Sequence, residues 1–141
     1  MHEILIGGER RGVTFTVHQN TWNDGKGSQL CEAAASFCMD AVSGECSTVL
    51  ADSMLRTFVA DLEEMTRELH GAATLWGGNP GGPNARAELK MEKAGNIGVD
   101  ASFSDWQHEG VGFQTKIQFA MDQSFLPPLV RAARSALCVF Q

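Results

Sequence analysis

The sequence predicts an α+β fold: one antiparallel, strongly curved sheet of about five to seven strands, with two amphipathic helices packed on its apolar face. Three observations predict it. Leu55, Phe58, Leu62, Met65 and Leu69 step by three and four residues, which puts them on one stripe of a helix spanning about 53–69. Residues 85–121 alternate apolar and polar side chains in three successive runs, the period of strands with one face buried and one wet. Leu126, Leu129, Val130, Ala133, Leu137 and Phe140 form a second helical stripe over about 124–140. The 141 residues are read as a single α+β domain, 1–141.

From the start, residues 4–6 and 13–17 read as strands. Val13, Phe15 and Val17 alternate with Thr14 and Thr16, and β-branched side chains suit a pleated surface. ERRG between them reads as a turn. Polar QNTWNDGKGS, 19–28, reads as a surface loop. Residues 30–42 fit both a strand and a helix face; strand is preferred, because Ser43-Gly44 then reads as a turn before extended Cys46, Thr48 and Leu50. Asp52 or Ser53 is expected to cap the first helix, and Gly71 to end it in a left-handed conformation.

Residues 72–76 read as a further strand. GGNPGGPN, 77–84, reads as a loop, since its glycines and prolines weaken a ladder. The three alternating strands follow, with a turn at Lys93-Ala94-Gly95-Asn96 and the connection SDWQHEG. Pro127 and Pro128 fit only the first turn of the last helix, which Asp122 or Ser124 is expected to cap, while Arg131 and Arg134 point away from its stripe.

The composition excludes some function classes. The longest unbroken apolar run is five residues, Ala136 to Phe140, whereas a membrane helix needs about 20. The start, MHEILIGGERR, lacks the pattern of a secretory leader, so a cytoplasmic setting is expected. The net charge of −6 lies wholly in residues 1–70, which carry 11 acidic and 5 basic side chains. Such a surface repels nucleic acid and suits a basic partner.

The four cysteines, Cys31, Cys38, Cys46 and Cys138, contain no C-x-x-C pair, and His2, His18, His70 and His108 are scattered. Free, mostly buried thiols are expected, with no metal site and no cofactor. No phosphate loop, G-x-S-x-G or H-E-x-x-H motif is present, so no catalytic residue is assigned and the chain reads as a non-enzyme. Trp22, Trp76 and Trp106 fall in or beside expected loops. They read as rings closing the ends of the core, with binding anchors as the alternative.

The most usable functional feature is acidic. Asp61, Glu64 and Glu68 step by three and four and share one side of the first helix, a candidate partner-binding ridge. Glu63 is placed to pair with Arg67.

The segment FCMDAVSGECSTVLADSMLRTFVADLEEMTRELHGAATL, the meander RAELKMEKAGNIGVDASF with GVGFQTKIQFAMD, and the closing QFAMDQSFLPPLVRAARSAL carry a family likeness. Over residues 33–138 they resemble the WapI-like immunity proteins of bacteria, through a helix ending in L-x-G-x-A-x-L and a D-Q-[ST]-aromatic-L junction. The loops 19–28 and 77–84 and the first strands depart from that pattern. The resemblance implies a protein-binding domain that neutralises a cognate toxin; a basic toxin domain would suit the charge. It carries over no catalytic residue. A small-ligand or accessory domain is the alternative reading, and monomer and homodimer both stay open, because the edge strand 4–6 could pair across a dimer.

Overall fold

The computed structural model describes residues 1–79, 82–106 and 112–140. Eight strands form one antiparallel sheet in which the order in space is the order in sequence. They are β1 (His2–Gly7), β2 (Arg11–Asn23), β3 (Gln29–Met39), β4 (Val42–Ala51), β5 (Ala72–Asn79), β6 (Gly82–Met91), β7 (Asn96–Trp106) and β8 (Gly112–Asp122). Helix α1 (Asp52–Glu68) links β4 to β5, and α2 (Leu126–Leu137) follows β8. The order ββββα thus occurs twice. The sheet has eight strands instead of five to seven, and it does not close, since β1 and β8 are its two edges.

Strand alternation builds the core. Ile4 and Ile6, Val13, Phe15 and Val17, Ala33, Ala35 and Phe37, and Leu89, Val99 and Ala101 all turn inward and are buried. The two helices lie over this face. Leu55, Phe58, Leu62 and Met65 of α1 and Leu126, Leu129, Val130 and Ala133 of α2 are buried there, as their spacing requires. α1 packs on β5, α2 on β1, and the helices on each other. Arg134 does not point into solvent alone: it meets Glu63 of α1 at 2.8 Å.

Several boundaries differ from expectation. Residues 30–42 are mostly strand, and the β3–β4 turn falls at Asp40-Ala41, with Asp40 at φ 57°, not at Ser43-Gly44. Gly44 lies within β4, opposite Phe37. A side chain there would strike the Phe37 ring, its Cβ 2.7 Å from Cε1. The loop expected at 19–28 shrinks to its tip, because β2 runs on to Asn23 past an irregularity between Val17 and Thr21. The loop expected at 77–84 is largely ladder: β5 reaches Asn79 and β6 begins at Gly82, with a register shift at Gly77/Gly78 that accommodates Pro83.

The helix ends also differ. Asp52 does not cap α1, whose N-cap is Ala51; its carboxylate instead accepts the Ser53 N–H at 2.8 Å and the Gln29 N–H at 3.2 Å. Leu69, at φ 56° and 54% exposed, takes the left-handed position that ends α1, ahead of Gly71. Asp122 caps the short 3-10 turn Gln123–Phe125 that leads into α2, accepting the Ser124 N–H at 2.7 Å and also bonding its hydroxyl.

The two halves of the sheet join thinly. Among the described residues, β4 and β5 share one backbone pair, Val49 with Gly78. Side chains reinforce the seam. The buried Thr48 hydroxyl donates to Asn84 Oδ1 at 2.7 Å, and Asn84 Nδ2 donates to the Ser47 carbonyl at 2.7 Å. Gly77 of β5 lies beneath this link, and any Cβ on it would collide with the Thr48 hydroxyl.

Candidate protein-binding surface

The outer face of the sheet, away from the helices, carries a row that crosses the seam. Trp22 of β2 is registered with Leu30 of β3, and Leu30 with Ala51 of β4. Val49, two residues back, pairs with Gly78 of β5, which brings Trp76 alongside. Alternation leaves all of these pointing outward. Trp22 and Trp76 are the walls of a cleft of about 440 Å³, Leu30, Val49, Ala51 and Gly78 its floor, and Met54 of α1 closes one side.

The walls stand three strands apart, roughly 14 Å between backbones at ordinary strand spacing. The cleft exists because Ala51 and Gly78 leave the floor low. Trp76 leans back over Gly78, its ring edge 3.7 Å from where a Cβ would sit. Trp22 is 41% and Trp76 36% exposed. Neither closes the end of the core, as the sequence suggested. Both lie in strands and face solvent. The Trp106 side chain lies outside the described residues. The signal available beforehand was the alternation of Thr74 and Trp76 against buried Ala73 and Leu75, which already sets Trp76 on the wet face.

The acidic ridge leads away from this cleft. Met54, Asp61 and Glu68 recur every seven residues, nearly two full turns, so they share a line along α1. Asp61 and Glu68 lie roughly 10 and 20 Å from Met54 along the axis. Asp61 is half-buried; Glu64 and Glu68 are exposed. Glu68 pairs with its neighbour Arg67 at 3.2 Å. Glu63 pairs with Arg134 and not with Arg67, because α2 brings a guanidinium closer than the helix's own next turn does. The Arg134 hydrogen bond holds the Glu63 carboxyl below its ordinary range.

The remaining chemistry is quiet. All four cysteines are free; Cys31 and Cys46 are buried, Cys38 is half-buried and Cys138 is exposed, against the expectation of general burial. Burial pushes both the Cys31 and Cys46 thiols up to about 11. Among the described residues no three His, Cys, Asp or Glu side chains gather as a metal site would need, and no helix is long and apolar enough to cross a membrane. A second cleft of about 510 Å³ lies between the β1–β2 turn and β8, beside the Arg11–Asp40 ion pair at 3.3 Å. It is lined by Phe119 and the part-exposed Phe125 together with Arg10, Arg11 and Asp40, and contains no tryptophan.

Comparison with family models, with curated proteins and with solved structures finds no match to this chain.

Proposed function

We propose that this chain is a non-enzymatic binding domain for a basic protein, with the tryptophan cleft as its anchor site and the acidic line of α1 as its steering surface. The observation that carries this reading is the pair of part-exposed tryptophans over an apolar cleft on an uncovered sheet face. Large aromatics that are rigid and accessible are the side chains around which interface energy concentrates. The acidic line runs along α1 away from the cleft, its first carboxylate about 10 Å from Met54, and the net charge of −6 adds long-range attraction for a partner of opposite sign. A cognate toxin domain, the partner implied by the immunity-protein resemblance, is the basic protein we put forward.

The test takes the protein encoded next to this one as the candidate partner and follows association by surface plasmon resonance. Reversing Asp61, Glu64 and Glu68 to Lys together is expected to slow association more than about tenfold at low salt, with the difference shrinking as salt rises. An unchanged rate and salt dependence would remove the ridge from the interface. A neighbour that is acidic and does not bind would remove the toxin partner.

A second reading, a small-ligand domain, is favoured by the size of the cleft, which falls within the roughly 300–1,000 Å³ of ordinary ligand pockets. Stabilisation of the isolated protein by an uncharged metabolite in a thermal-shift screen would select it.

A further inference from the structure

We infer that the Trp22–Trp76 cleft is a receptor for a cation carried on an apolar stem, with an arginine or lysine side chain of the partner as its occupant. This deepens the binding reading above and rests on it for the source of the cation.

Three features define the occupant. The first is the pair of walls. Indole is the strongest of the aromatic faces for a cation, and an ammonium or guanidinium within about 6 Å of a ring is drawn to it. The second is the floor of Leu30, Val49 and Ala51 with Met54 at the side, which offers an aliphatic stem a dry path and leaves its charged head at the rim.

The third is the charge at the rim. Glu32 is registered directly opposite Val49 on the same outer face, so its Cβ lies about 5 Å from that of a floor residue. Glu32 is exposed and enters no ion pair among the described residues. Asp52 lies next in sequence to floor residue Ala51 at the start of α1, its carboxylate accepting the Gln29 and Ser53 N–H groups. On the opposite side, Arg86 is registered with Trp76, but Glu88 pairs with it at 3.0 Å. At the hairpin tip, the charge of Lys26 is matched by that of Asp24, two residues away, whose carboxylate accepts the Lys26 backbone N–H. The rim is left with a net negative charge over an apolar, aromatic-walled hollow. An anion would be repelled there, and a neutral apolar group would pack on the rings but forgo the electrostatic attraction of both the rings and the carboxylates.

The experiment uses the full chain and two pairs of probes at matched ionic strength. N-acetyl-arginine amide is set against N-acetyl-citrulline amide, and choline against 3,3-dimethylbutan-1-ol. Each neutral probe copies the shape of its charged counterpart. Binding is read from the indole Nε1–H signals of Trp22 and Trp76 in ¹⁵N-resolved NMR spectra, assigned with W22F and W76F. Both charged probes are expected to move both signals and to bind at least about threefold more tightly than their neutral counterparts. E32Q is expected to narrow that preference with the spectrum otherwise unchanged, a control that the fold is kept.

Equal binding of charged and neutral probes overturns the inference, as does movement of neither indole signal up to 100 mM of probe, roughly the weakest range of such contacts. The two proposals fail separately. A cation preference with no binding to any basic protein leaves this site standing and removes the partner. Partner binding with no cation preference does the reverse.

Discussion

Phe37 of β3 and Phe103 of β7 are stacked, with ring centroids 5.1 Å apart and planes inclined by 25°. The strands that carry them are four apart in the sheet, so the contact forms only because the sheet bends around its core. The pair binds the first half of the sheet to the second. Gly44 allows it, since the space above its backbone is filled by the Phe37 ring.

Truncating either ring should therefore cost stability in both halves together. F37A and F103A are each expected to lower unfolding free energy by about 3–5 kcal/mol in urea titrations. The double-mutant cycle should show coupling of about 0.5–1.5 kcal/mol, the worth of an aromatic pair beyond its buried area. Strictly additive losses would mean that each ring packs independently.

The seam between β4 and β5 gives a second expectation. N84A removes the partner of the buried Thr48 hydroxyl, at about 1–3 kcal/mol for the group left unpaired, and that of the part-buried Ser47 carbonyl. G77A should be destabilising through collision with the Thr48 hydroxyl, and should cost less in a T48A background, where the collision is relieved and the Thr48–Asn84 bond is already lost. A G77A protein as stable as the parent would contradict the geometry of the seam.

The buried thiols set an alkaline limit. In the unfolded chain Cys31 and Cys46 ionise near 9.0; in the fold they hold their protons up to about 11. Above pH 9 the folded state thus binds more protons than the unfolded one. Stability is expected to be intact below pH 9 and to fall as pH rises from 9 to 11, more steeply than in C31A/C46A. In native protein at pH 8, exposed Cys138 should react rapidly with a disulfide reagent, while Cys31 and Cys46 react only on unfolding.

Leu69 offers a gain. It holds a left-handed conformation that glycine adopts freely, and its side chain is mostly in solvent. L69G is expected to raise unfolding free energy by up to about 1 kcal/mol. A loss would show that the Leu69 side chain covers more of the core end than its exposure suggests.

Local periodicity made much of the architecture legible. The Leu55–Met65 stripe and the alternation through β6, β7 and β8 are repeated choices made by single elements, and each is visible within a dozen residues. What was not legible depends on partners distant in sequence. Gly44 read as a turn residue, yet it answers the Phe37 ring above it. Gly77, Gly78 and Pro83 read as a loop, yet Gly77 makes room for Thr48, and Pro83 falls beside a register shift. The acidic side of α1 was apparent from spacing alone. The cleft was not, because it needs four strands from both halves, and the polar run His18 to Thr21 hides the alternation that, counted in twos from Val17, sets Trp22 on the outer face.

The thin seam also has a mechanical meaning. Under a load drawing the two four-stranded plates apart, an ordinary antiparallel junction would resist with a whole row of peptide groups. Here, within the sheet, the tension falls on the carboxamide of Asn84, the hydroxyl of Thr48, a lone main-chain pair among the described residues and one stack of rings, and beyond the sheet on α1 and α2, which pack across the joint. Yielding of the sheet should start at that joint, with the packed helices the last tie between the plates. Because the tryptophan hollow straddles the joint, a guest clamped between its walls would act as a rivet across the line of fracture.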